Sequence, residues 1–301
     1  MQISKFCYPV AIASIIFFAS CGEDDTLAVG EPAIITLESI PYSVGLQENY
    51  SEIVPAEITT ITQISGTDLL FDFSDLIVTE NYATTPYQSF SDPELPRANY
   101  AFRSFQTNTL TGKEQEILRI MQRSESGIYN IAIDLKEEEV LPILGGAGEL
   151  VFNNGYQVNQ GEAPLYIFPA TYETSGTFES STMADFTITL PTAGLTDAPA
   201  NTLDSTTTEI EVVAWGEVIL PTSSRAYPVI LQRNTYTTKR TYLIGGSPAP
   251  AELLTPIGLG QDEIRTETTY EFISPEFGVI MYLILNDGEA MSAAFKNDLP
   301  E

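Results

Sequence analysis

The side chains able to do chemistry in this chain are almost all carboxylates. Of 301 residues, 41 are Asp or Glu, 13 are Lys or Arg, and none is histidine. Without an imidazole, Ser-His-Asp and Cys-His catalysis are excluded, as are histidine-bound zinc and iron centres. What remains is a carboxylate hydrolase, which needs two acids roughly 5–9.5 Å apart, one with a raised pKa. Glu209 and Glu211 stand two apart in EIEVVAWGEVIL. At about 3.3 Å per residue they would lie about 7 Å apart on one strand face. Trp215, the single tryptophan, follows on the same alternation together with Glu217. An exposed indole there would stack on a sugar or a partner chain beside Glu211 and Glu217. A bulge at Gly216 would instead turn it into the core. These three residues are the candidate ligand contacts.

No catalytic set or cofactor motif accompanies them. Gly145-Gly146-Ala147-Gly148 is not followed by Gly-Lys-Ser/Thr and runs into a strand, so it reads as a turn. Asn286-Asp287-Gly288-Glu289 offers too few ligands in series for calcium and reads as a hairpin turn. The formal charge of −28 repels phosphate backbones, which argues against a nucleic-acid partner. It would draw in cationic partners or divalent cations, although no motif supports a metal site.

The elements that must carry these residues are strands. In residues 209–220 the even positions are all small or apolar while the odd ones carry Glu209, Glu211 and Glu217 among Val213, Trp215 and Ile219, the pattern of a strand largely wet on one face. Residues 185–190 (DFTITL) repeat it, and 277–285 (FGVIMYLIL) are apolar on both faces and expected centrally. Further strands are expected at 33–38, 57–64, 128–135, 149–153, 171–178, 229–236 and 264–273. Asn154-Gly155 and Asp287-Gly288 signal hairpins. Residues 113–123 fit either a capped helix after Thr111 or a strand running through Ser124–Gly127, with the strand preferred. Connections are expected at 81–96, 136–148, 191–204 and 245–260. The fold class is therefore mainly β, an antiparallel β-sandwich or a curved half-open barrel with long Gly/Pro-rich loops. It occupies 32–301 as a single large β domain or as two β subdomains.

Residues 1–20 form a different object. Lys5 precedes an apolar run, VAIASIIFF, and small residues lead to Cys21, the layout of a secretory signal peptide. Phe18-Ala19-Ser20-Cys21 resembles a bacterial lipobox, which implies that Cys21 is acylated, with palmitate among the acyl chains, and becomes the first mature residue. Cys7 would leave with the signal, so the mature chain holds no disulfide. Glu23-Asp24-Asp25 lie in the flexible acidic tether, 21–31, and resemble the export signal of surface lipoproteins in Bacteroidota. This places the protein at the outer membrane, lipid-anchored and facing the exterior. Asp25-Thr26-Leu27 and Asp204-Ser205-Thr206 resemble O-glycosylation sites of such exported proteins, the second in an expected loop.

Three further segments carry a resemblance in order. LLFDFSDL (69–76), WGEVILP (215–221) with VILQR (229–233), and YEF (270–272) with FGV (277–279) resemble elements of an uncharacterised family of secreted Bacteroidota β proteins. Phe71, Gln232 and Phe272 depart from that pattern. The resemblance implies a β architecture and a secreted context and assigns no reaction. The function expected is a non-catalytic surface binding module, its partner a glycan or a protein. A carboxylate-dependent glycan hydrolase and a half-barrel carrier of apolar ligands are the alternatives.

Overall fold

A computed structural model of the chain describes residues 31–107, 114–221 and 223–300. Eighteen strands lie among the described residues. They are β1 (Asn49–Ile53), β2 (Gly66–Asp72), β3 (Val78–Ala83), β4 (Gln88–Ser89), β5 (Tyr100–Thr107) and β6 (Glu114–Ser124). Next come β7 (Gly127–Leu135), β8 (Glu139–Ile143), β9 (Gly148–Phe152), β10 (Gly155–Gly161), β11 (Pro164–Ile167) and β12 (Ser175–Leu190). The last are β13 (Leu195–Ile219), β14 (Ala226–Ile244), β15 (Ser247–Pro248), β16 (Glu263–Ser274), β17 (Gly278–Asn286) and β18 (Glu289–Lys296). One helical turn, α1 (Ala251–Leu254), interrupts them.

The strands form one large, mainly antiparallel sheet that is not closed. Its order runs β4–β5–β6–β7, passes to β10 and β11, and continues β12–β13–β14–β16–β17–β18–β1–β3. The two ends, β3 and β4, follow each other in the chain, and the residues between them bond to Gly45 and Leu46 through Tyr87. β8 and β9 form a flap on β12. β2 is the exception to antiparallel order, lying parallel to β13.

Curvature brings β5–β7 and β11 over one face of β13–β14–β16. Between them pack Tyr100, Met121, Ile128, Val212, Trp215 and Ile273. The opposite face of β13–β14–β16–β17 holds a second core of Phe71, Val218, Leu231, Phe272, Met281 and Phe295. A third cluster, with Leu150, Phe186, Tyr242 and Leu254, closes the far ends of β12–β14. A fourth lies outside β6 and β7, where Leu95 and Ala98 cover Leu118, Ile120 and Ala132.

Several local expectations give way to tertiary structure. Residues 57–64 are not a strand but part of a 3-10 stretch, Pro55–Gln63. Pro55 suits its first turn, and a repeat of three puts Ile58 and Ile61 on the second core together. At 33–38 only Ile35 bridges to Ala170 before a 3-10 turn at Leu37–Ser39, and β12 starts at Ser175, not Thr171. The expected connection 191–204 is short: after Pro191–Ala193 the chain is already strand from Leu195. One face of the sheet is wet there, while Ala200 and Thr202 on the other are buried. Asp204-Ser205-Thr206 therefore lies mid-strand, where Asp204 accepts two bonds from Arg240 at 2.7 and 2.6 Å. Asn154-Gly155 makes no hairpin. β9 and β10 run on in one direction along β12, and Gly155 is where the chain leaves it for Leu135 of β7.

Other expectations hold. Residues 114–123 are strand, while Thr111–Lys113 lie outside the described residues. Asp287 and Gly288, with φ of 48° and 85°, make the two-residue turn that pairs Asn286 with Glu289.

Candidate functional site

The candidate ligand contacts on β13 are not brought together. The ladder to β14 shifts between Val212–Gln232 and Ala214–Leu231, leaving Val213 as an extra residue. This bulge, not one at Gly216, puts Val212 and Trp215 on the same face. Trp215 is 8% exposed and belongs to the core against Tyr100 and Met121, so it offers no open platform. Glu211 stays on the other face, ion-paired with Arg233. Glu217 is exposed opposite Pro228. Glu209 faces solvent opposite Thr235. Cys21 lies outside the described residues.

A different cluster emerges where β11 and β6 face β14 and β16. Its floor is a buried amide pair. Gln232 donates to the Leu165 carbonyl (3.1 Å) and to the Asn234 side-chain oxygen (2.9 Å), and Asn234 donates to the same carbonyl (3.1 Å). Opposite Gln232 on β16 stands Glu271. The Tyr166 hydroxyl donates to its Oε1 at 3.2 Å, whereas Oε2 is out of solvent and has no partner. Burial raises the Glu271 carboxyl to about 7, with the Tyr166 bond opposing.

One strand turn of the pleat further on, Tyr236 lies directly across from Glu267. Arg119 reaches this end from β6, and its charge couples to Glu267 and Tyr236. Burial pushes the Glu267 carboxyl up and the Arg119 charge opposes it; burial also lowers Arg119 and raises Tyr236. Arg119, Tyr236 and Glu271 are each half-buried and Glu267 is exposed, so this polar cluster, the recess between β6 and β14–β16, reaches solvent at its edge.

The recess continues into a tyrosine belt. Tyr282, cross-strand from Glu271, shares a 2.6 Å hydroxyl contact with Tyr82. Tyr50 stacks on Tyr82 with ring centroids 5.7 Å apart. Beside Tyr50, Lys296 and Glu48 form a buried ion pair at 2.8 Å, and Tyr87 donates to Glu48 at 3.2 Å. Burial raises Tyr50, Tyr82 and Tyr87, so these phenols stay protonated hydrogen-bond donors.

Alternation in the sequence finds that 264–273 is a strand. It does not show that Glu267 and Glu271 face inward, because the opposing wall comes from β6 and β11, over 90 residues away in the chain. Two acids four residues apart on one strand are separated by about 13 Å, beyond the reach of a hydrolytic pair.

Other concavities are less furnished. A groove of about 630 Å3 crosses β10, β12, β13 and β14 and is lined mostly by Ser and Thr, with Glu179 and Lys239. An apolar cleft of about 300 Å3 lies between Leu141–Leu144 and Pro256–Leu259. Among the described residues, no three of Asp, Glu, Cys and His converge as metal ligands. A comparison of the chain with protein-family models, curated proteins and solved structures finds no match.

Proposed function

We propose that this protein is a lipid-anchored lipoprotein of a bacterial outer membrane, held through Cys21 and facing outward, whose β domain captures a small polar ligand without transforming it. The observation that carries the binding half is the recess itself. It gathers half-buried Tyr236, Glu271 and Arg119 against a floor of buried, hydrogen-bonded amides. Binding sites orient a ligand with a few fixed polar groups, and this cluster supplies such groups. A glycan hydrolase has less support, because Glu211 is taken by Arg233 and Glu267 and Glu271 stand too far apart. An apolar carrier draws on the cleft at Leu141–Leu259 alone.

The anchoring half rests on the sequence around Cys21. Metabolic labelling with a fatty acid should mark the wild type and not C21S; equal labelling would refute it. Protease added to intact cells should degrade the domain, and full protection would refute the outward orientation. For the recess, saturation-transfer NMR against a panel of monosaccharides, amino acids and amines should find a ligand. Its signal should fall at least tenfold in Y236A; a signal indifferent to Tyr236 would move the site elsewhere.

A further inference from the structure

We infer that the sheet carries a second binding site, an open trough on the face turned away from the recess, and that it takes a neutral oligosaccharide. The trough does not depend on the recess, because the two lie on opposite faces. Tyr236 and Glu267, paired across β14 and β16, belong to the recess. The next pair, Thr237 and Thr266, points the other way.

The trough consists of two hollows that meet. The first is the groove of about 630 Å3 over β10, β12, β13 and β14. The second, of about 180 Å3, lies where Leu95–Arg97 pass over β7 and β10, against Tyr129 and Val158. Gln160 and Gly161 line both. A Cβ on Gly161 would stand 2.4 Å from the Glu179 carbonyl oxygen, so glycine is required at the junction and no side chain obstructs it. Strand register sets the length of the floor. Gln160, Ser181, Ser205, Lys239 and Ile264 are successive cross-strand partners from β10 to β16. At about 4.8 Å per strand that row runs about 19 Å, room for a short chain of sugars. Glu179, Thr207 and Thr237 form a second row beside it.

Three features of the lining select the ligand. First, its hydroxyls are uncommitted. Thr206 and Thr238, on the recess face, bond each other at 2.9 Å. Among the described residues Ser181, Ser205, Thr207 and Thr237 make no such bond, and each offers both a donor and an acceptor to a polyol. Second, the lining is electrically balanced in a chain of formal charge −28. Each hollow is lined by one acid and one base, Glu179 with Lys239 and Glu94 with Arg97. A polycation finds no block of carboxylates there, and a polyanion is repelled by the rest of the surface. Third, apolar surface is confined to one end, where Tyr129, Leu95, Pro96 and Val158 offer a ring and aliphatic groups to the C–H face of a sugar. The floor beyond has Ile264 as its single large apolar side chain, too little for a lipid or for the apolar centre of a protein interface.

Isothermal titration of the purified protein with cellohexaose, maltohexaose, laminarihexaose and mannohexaose, and with the polyanion hexagalacturonate, tests this. At least one neutral hexaose should bind, at least tenfold tighter than its own monosaccharide and than hexagalacturonate. S205W, a substitution at an exposed position, should fill the trough and weaken that binding at least tenfold. The double variant T207V/T237V removes two hydroxyls while keeping side-chain shape, and should weaken it at least fivefold with circular dichroism unchanged. Either variant keeps the test decisive if the other fails to fold. Y236A, which alters the recess, should leave hexaose binding as it is. Hexaose binding indifferent to both trough variants would overturn the site, and its loss in Y236A alone would assign the sugar to the recess. Hexagalacturonate binding as tightly as the neutral chains would overturn the neutral ligand. A monosaccharide binding as tightly as its hexaose would overturn the extended trough. Absence of binding by every hexaose would reject the trough as a sugar site while leaving the recess to be judged by its own ligand.

Discussion

Gly216 of β13 lies directly against Leu69 of β2: a Cβ added there would stand 2.5 Å from the Leu69 backbone nitrogen and nearer still to its carbonyl oxygen. The contact is backbone on backbone, so no rotamer change relieves it. This is where β2 docks parallel to β13 and where Phe73 then bonds to the Ile219 carbonyl at 2.9 Å. Phe71 and Phe73 meet Phe272 edge-on with centroids 4.9 and 5.5 Å apart. Segments widely separated in the chain are joined at one place, and glycine is required at its centre. G216A should therefore destabilise by about 3 kcal/mol or more, the far tail for single substitutions. A urea midpoint equal to that of the wild type would show that β2 does not sit there.

Trp215 is the sole tryptophan and is buried, so its emission reports one core. It should be blue-shifted in the native protein, resist iodide quenching, and shift red in one step with the loss of circular dichroism. W215A should cost about 3–5 kcal/mol, the range for deleting a buried aromatic. Red-shifted, readily quenched native emission would contradict this placement.

The Glu271 carboxyl titrates near 4.5 when unfolded and is raised to about 7 by burial when folded. The folded state then holds the proton more tightly. The stability it contributes is complete below pH 4.5 and is lost as pH rises through 7. The loss is on the order of 3 kcal/mol, at 1.36 kcal/mol per unit. In E271Q this component should vanish, so its stability relative to the wild type should rise between pH 4.5 and 8. Parallel stability–pH curves for the two proteins would refute it.

Gln232 is 1% exposed and ties β14 to β11 through the Leu165 carbonyl. Q232L keeps the bulk but removes a donor both from that carbonyl and from the Asn234 oxygen. A loss of about 1–3 kcal/mol is expected. Amide exchange should accelerate in β11 and β14 more than in β17 and β18. Uniform acceleration would mean that the amide pair does not join the two walls locally.

Period-two alternation makes the β architecture readable in the sequence. It also locates β7, β9, β16 and β17 to within a residue at each end. It fails to tell which face a residue takes across a bulge. In β13 the extra Val213 inverts the parity, so Glu211 and Trp215, four apart, point to opposite faces. Turn chemistry succeeds at Asp287-Gly288, where both residues take positive φ, and misleads at Asn154-Gly155, where a third strand, β12, decides the direction of both neighbours. The recess around Glu271 is invisible for a related reason. Each of its walls is an ordinary amphipathic strand, and only long-range pairing turns Glu267, Glu271, Arg119 and Tyr166 toward one another. The departure of Gln232 from the resembling segment, by contrast, has a visible physical role as the floor of that recess.

The pairing of β1 with β18, locked by the Glu48–Lys296 ion pair across 248 residues, has a kinetic corollary. Closing a loop of that length costs about 5 kcal/mol in chain entropy by the logarithmic rule. The first strand to form must wait for the last to reach it. Until then Tyr50 and Tyr82 are without their β17 and β18 neighbours and the sheet has an open apolar edge. A chain of this topology folds slowly and is prone to capture by other chains, so shielding of β1 and β3 until β18 has been synthesised would favour its folding.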